Sequence, residues 1–182
     1  MKPLDPSRWF WRQLTPEANT FTVAGRGSLV ELYFHAADDG RLARLYYDQP
    51  EPSIMEFVEQ FLEPCGNGLC WLYAAYDKAT HLPLAFVYVN GFMGRAGMCH
   101  FCFLKAGQNQ AHDIARAWLR IIFDQPAEQR LACLVGITPA TYKHALRFAV
   151  SLGFAERATV PKACWLHARK RFVDGIVTIY QP

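Results

Sequence analysis

Thr138-Pro139-Ala140-Thr141-Tyr142-Lys143-His144-Ala145-Leu146-Arg147-Phe148-Ala149-Val150-Ser151-Leu152-Gly153-Phe154 is the stretch on which the fold turns. Thr138 reads as a helix N-cap and Pro139 suits the first turn, where its missing N–H is not needed. Tyr142, Ala145, Leu146, Ala149 and Leu152 recur at helical spacing and predict a buried stripe. Gly153 supplies the left-handed position just past a helix end. The spacing therefore predicts a helix over 138–152, directly after a compact apolar strand over 131–137.

Working back from it, residues 110–123 predict an amphipathic helix with Ala111, Ile114, Ala115, Trp118, Leu119 and Ile122 on one face. Three strand-like runs precede that helix, at 69–76, 82–89 and 98–104, joined by short polar or glycine-containing connections. They read as an antiparallel meander. Before them, Ser53 and Glu56 form a capping box for a helix over 53–62, which Pro64 is expected to stop. A second S-x-x-E box, Ser28 with Glu31, predicts a helix over 28–37, and 20–23 a short strand. Working forward, an extended region at 154–167 interrupted by Pro161, a basic turn at Arg169-Lys170-Arg171 and a strand at 175–180 predict a C-terminal hairpin. The step from 98–104 through a helix to 131–137 requires a parallel crossover. The expectation is a single α/β domain over 1–182, with a mixed sheet, an antiparallel N-terminal meander and helices on both faces. Residues 1–27 are too few for a core of their own and should pack on it. Their Trp9-Phe10-Trp11 cluster either caps the core or meets a sister subunit in a homodimer.

Composition excludes several classes. The chain has 182 residues, 52% hydrophobic, 14% aromatic and 19% charged, too apolar for a disordered protein. A formal net charge of +3 is too weak to argue for nucleic acid. The charge is uneven: residues 1–104 carry 8 Lys and Arg against 11 Asp and Glu, and residues 105–182 carry 11 against 5. A basic C-terminal part suits either a solvated face or a phosphorylated ligand. No apolar run is long enough to span a bilayer and the N-terminus lacks a signal-peptide pattern, which predicts a soluble, cytoplasmic protein. The cysteines Cys65, Cys70, Cys99, Cys102, Cys133 and Cys164 then read as reduced and buried. Cys65-x4-Cys70 with Cys99-x2-Cys102 has the look of four zinc thiolates. However, Cys99 and Cys102 fall in one strand, where residues three apart point to opposite faces, so no metal is expected.

The element order, together with Tyr142-x2-Ala145-Leu146-x-Phe148-Ala149-x2-Leu152-Gly153-Phe154 and the later Asp174-Gly175-Ile176-Val177, resembles the GNAT superfamily of N-acetyltransferases. The resemblance implies acetyl-CoA as co-substrate, with the pantetheine arm in a gap between two splayed parallel strands, here 98–104 and 131–137. It also implies a pyrophosphate on the N-terminus of the helix that follows. Carried onto this sequence, the cofactor contacts would be Cys102, Phe103, Leu104, Lys105, Gly107, Gln108, Asn109, Gln110, Ala111 and His112, with Tyr142 across the gap. The loop departs from the family's glycine-rich pattern. It holds one early glycine, Gln108-x-x-Ala111 is a partial match, and Asp113 puts a negative charge in the first helical turn. The amine acceptor, a small molecule or a protein, must lose a proton before it attacks the thioester directly, and strand backbone N–H groups would stabilise the oxyanion. Strand 98–104 holds no carboxylate, which leaves His100 as the candidate base and Glu156 as the alternative. The position of the family's tyrosine acid is Ala149 here. Two functions remain open: an N-acetyltransferase, or a binding or structural module on the same fold that has lost catalysis.

Overall fold

The computed structural model describes residues 8–15, 29–128 and 130–182. The expected strand at 20–23 and the Ser28 cap lie outside these residues. Among the described residues, seven strands form one sheet in the order β1-β2-β3-β4-β5-β7-β6. They are β1 (Trp9–Leu14), β2 (Trp71–Asp77), β3 (Pro83–Met93), β4 (Ala96–Phe103), β5 (Cys133–Pro139), β6 (Ala155–Leu166) and β7 (Arg171–Tyr180). Every neighbouring pair is antiparallel except β4 and β5. The meander, the parallel crossover and the C-terminal hairpin thus stand as the sequence predicts.

The helices are α1 (Leu29–Asp38), α2 (Leu42–Leu45), α3 (Ile54–Gly66), α4 (Ala111–Phe123) and α5 (Lys143–Leu152). α1, α2 and α3 cover one face of the sheet, where Leu32, Leu42, Phe57 and Phe61 meet Leu72, Phe86 and Tyr88. α4 and α5 cover the other, where Trp118, Leu119, Ile122 and Leu152 meet Tyr73, Val87, Val89 and Cys99. Each central strand is apolar on both sides because both faces are roofed.

The Ser53–Glu56 capping box is formed, with the Ser53 N–H donating to the Glu56 carboxylate and the Glu56 N–H to Ser53 Oγ. The Trp9-Phe10-Trp11 cluster packs on the core, one of the settings expected of it, and does so as the start of the edge strand β1, with Trp9 7% exposed and the whole strand paired to β2. Two expectations need correction. Pro64 does not stop α3; it lies in the last turn, where the one donor it lacks costs a single terminal bond. And Thr138-Pro139 does not open a helix. β5 runs through Pro139, which pairs with Gly175, and α5 begins only at Lys143. Between them, Tyr142 N–H bonds Pro139 O in a tight turn. The short α5 buries only Leu152 fully; Ala145 is exposed and Leu146 and Ala149 are half-buried. Gly153 ends it at φ +105° in the left-handed region.

Candidate active site

The parallel ladder between β4 and β5 covers only Ala96–Met98 against Cys133–Val135. Both strands continue past it, β4 to Phe103 and β5 to Pro139, without pairing to each other. Their outer edges remain bonded, β4 to β3 and β5 to β7. A wedge therefore opens between Cys99 and Gly136 and widens toward the C-terminal ends of the strands. The backbone groups that line it are the kind an extended amide-bearing chain can pair with.

β4 presents different chemistry to its two sides. Met98, His100 and Cys102 point toward α1–α3, and Cys99, Phe101 and Phe103 toward α4 and α5. His100 stacks on Tyr88, ring centroids 4.3 Å apart and planes 10° from parallel. Its Nε2 lies 3.2 Å from Asn90 Oδ1. An amide oxygen at Nε2 requires a proton there, which leaves Nδ1 as the nitrogen with a free lone pair. Burial holds the imidazole pKa down to about 4, so the ring is neutral at pH 7. Cys102 is buried, and burial drives its thiol up to about 12 although the Arg41 guanidinium pulls the other way. It stays protonated at pH 7 and is a poor nucleophile. Cys133 is half-buried rather than buried. Cys99 and Cys102 enter opposite cores, as their spacing in a strand requires. Among the described residues, no three His, Cys, Asp or Glu side chains are grouped to share a metal ion.

At the C-terminal end of β4 the chain forms a 3-10 helix, Lys105–Gln110, before α4. Gly107 is buried, and a Cβ there would stand 2.2 Å from Leu84 O. Its lack of a side chain is what lets this turn lie on β3, which differs from the expected role at a phosphate. Lys105 N–H donates to the Asp39 carboxylate at 2.5 Å. Leu104 is buried in the α1–α3 core, and Gln108 and Asn109 are exposed. α4 then starts with Gln110 as an N-cap whose side chain makes no capping bond. Ala111 N–H at this junction donates to Gln108 O, and the first turn of the 13-residue helix carries the positive end of the helix dipole, which favours an anion. His112 reaches sideways, its Nε2 2.6 Å from Ser151 Oγ on α5 and its ring 4.8 Å from Phe148. Phe148 also lies 5.1 Å from Phe103, so α5 is drawn over the apolar side of β4.

Tyr142 stands at the wide end of the wedge, in edge contact with Tyr47 at 5.7 Å. Tyr47 is tied to the C-terminal hairpin by its O–H, 3.9 Å from Cys164 Sγ, and by His167 N–H donating to its carbonyl at 2.7 Å. Glu156 lies apart. It pairs with Thr178 on β7, which pairs in turn with Gly136 on β5. Two strand spacings, roughly 10 Å, separate its backbone from β5. The structure thus gathers Cys102, Phe103 and Lys105 on one wall, Tyr142 on the other and Ala111 and His112 at the end, and leaves Glu156 outside. Asn90, Tyr47, Asp39 and Phe148 are neighbours that sequence reasoning missed.

No family model matches the chain, and no curated protein matches it in sequence. Solved structures match it in fold. The spermidine N-acetyltransferase from Vibrio cholerae in complex with CoA and spermine superposes with a TM-score of 0.72 at 15% identity, covering 96% of each chain. The ribosomal-protein-S5-alanine acetyltransferase from Vibrio fischeri does so with a TM-score of 0.69 at 13% identity, covering 96% of this chain and 93% of its own. The chain has the GNAT fold that its element order and the residues 142–154 suggested.

Proposed function

We propose that the chain is an N-acetyltransferase that moves the acetyl group of acetyl-CoA to an amine by direct attack. The observation that carries this reading is the wedge between β4 and β5, where pairing ends at Met98 and Val135 although both strands run on. Its backbone edges fit a pantetheine arm, and the N–H groups at the start of α4 fit a pyrophosphate. The solved neighbours support it: one is a CoA complex, and both are acetyltransferases by name. Acetyl-CoA supplies an activated thioester. This chain's residues then have three tasks. Strand backbone N–H groups on the wedge polarise the carbonyl oxygen. His100, neutral and with Nδ1 available, takes the proton of the attacking amine directly or through one water. Tyr47 and Tyr142 wall the acceptor end, where an amine cation gains from aromatic faces.

A second reading, a binding module without catalysis, draws on the other side of β4. There the His112–Ser151 bond and the Phe148 contacts pull α5 toward the start of α4, and Asp113 adds a negative charge in that first turn. Acetyl transfer to a panel of amines separates the two. The enzyme reading expects turnover that falls about 100-fold or more in His100→Ala while CoA affinity stays within a few fold. An acid limb of kcat near pH 4, rather than near the usual histidine value, is expected with it. CoA binding without turnover on any amine would favour the module. Turnover unchanged in His100→Ala would remove the histidine from the mechanism.

A further inference from the structure

Cys65 and Cys70, which the sequence offers as half of a metal site, have a different setting in the fold. The end of α3 turns back on itself there. Leu69 N–H and Cys70 N–H both donate to Pro64 O, at 2.8 and 3.0 Å, and Gly68 at φ +70° permits the turn. This brings the two thiols into a hydrogen bond with each other. Cys65 is half-buried and also accepts from Leu72 N–H, whereas Cys70 is 5% exposed. The bond from Cys70, helped by Leu72 N–H, outweighs the burial that opposes an anion and holds the Cys65 thiol below its ordinary range. Cys70, whose proton serves that bond, is pushed well above it. A cavity of about 510 Å³ opens on the pair, lined also by Gln13, Trp71, Tyr73 and Gln125, with no carboxylate among the described residues of its wall. Two of the four strand thiols, Cys99 and Cys102, differ plainly: both are buried and driven up to about 12 by burial.

We propose that Cys65 and Cys70 are a peroxide-responsive dithiol, Cys65 the attacking sulfur and Cys70 the resolving one. The Cys65 thiolate attacks a peroxide oxygen, the S–O bond forms, the O–O bond breaks, and hydroxide leaves and is protonated to water. The Cys70 sulfur then attacks the Cys65 sulfenic acid, the S–S bond forms, and a second water departs with the Cys70 proton. Two thiols lose two electrons and one hydrogen peroxide becomes two waters. The dithiol shares no residue with the β4–β5 wedge, and the proposal stands whether or not the acyltransferase reading does.

The test treats the reduced full chain with one to a few equivalents of hydrogen peroxide, then alkylates, digests and weighs the peptides. No Lys or Arg lies between Cys65 and Cys70, so trypsin leaves both in one peptide. That peptide is expected to be about 2 Da lighter and refractory to alkylation, while the one peptide that holds both Cys99 and Cys102 stays reduced. Cys70→Ser is expected to strand a Cys65 sulfenic acid that dimedone captures, and Cys65→Ser to leave Cys70 reduced. The same treatment in denaturant should lose the selectivity, since the folded contacts create it. Oxidation that falls first on another cysteine, or a Cys70→Ser protein that yields no dimedone adduct, would overturn the proposal.

Discussion

The two sides of β4 differ by one residue of register and by almost everything else. Toward α4 and α5, Phe101 and Phe103 stack 6.0 Å apart and Phe101 meets Trp118 edge-on at 5.2 Å, ring against ring. Toward α1–α3, His100 lies on Tyr88 and bonds Asn90, and Cys102 feels Arg41 and Asp39. The alternation of a strand places packing on one side and ionisable groups on the other. One side anchors the crossover helix; the other brings polar chemistry to the edge of the wedge.

The largest expected effect breaks the anchoring side. Trp118 is fully buried, and Trp118→Ala should destabilise the protein by about 3–5 kcal/mol, the usual scale for removing a buried aromatic. Urea unfolding measures it; a loss under about 1 kcal/mol would mean that α4 is held by something other than this aromatic contact. Next comes the polar side. His100 is depressed to about 4 in the folded chain, against an ordinary value near 6.5. Between those values the unfolded chain binds the extra proton, so stability rises with pH through this window and is lost as pH falls through it. The span is worth up to about 3 kcal/mol as an order of magnitude. His100→Phe should flatten that part of the stability–pH curve, and an unchanged slope would place the titration elsewhere. The smallest effect is at the seam. Ser151→Ala removes an exposed hydrogen bond to His112 and the one that Ser151 Oγ donates to Phe148 O within α5, and should cost no more than about 0.5 kcal/mol in the same urea assay. A loss above 1 kcal/mol would show that this bond, rather than Phe148, holds α5 to α4.

The same contrast explains what could be read from the sequence. Where a local motif sets structure, it was legible. Ser53 and Glu56 cap each other across three residues, Gly153 takes the left-handed turn, and the stripe of α4 ends up facing the sheet. Where tertiary pairing decides, local chemistry misleads. Thr138-Pro139 looks like a helix start, but pairing with Ile176 and Gly175 keeps both residues in β5. Trp9-Phe10-Trp11 hides its alternation because aromatic residues serve both faces: Phe10 stacks on Tyr76 while Trp9 joins Ala75, Leu84 and Ile114. The candidate site shows the same limit. His100 stood out as the one near-neutral group on its strand. Its partner Asn90 did not, because the two meet on a cross-strand diagonal set by the Tyr88–His100 and Asn90–Met98 register. Tyr47 reaches Tyr142 across 95 residues of chain, which no spacing rule announces.

The wedge is the central claim, and calorimetric titration of the full chain with acetyl-CoA tests it most directly. One binding site is expected, together with a marked loss of affinity in Ala111→Asp. That substitution places a second carboxylate at the start of α4, where the helix N–H groups would meet the pyrophosphate. Its own stability cost is modest, about 0.5–0.7 kcal/mol from helix propensity, so thermal unfolding of the variant distinguishes lost binding from lost folding. Absence of any binding heat at millimolar acetyl-CoA, in protein that unfolds cooperatively, would contradict the account.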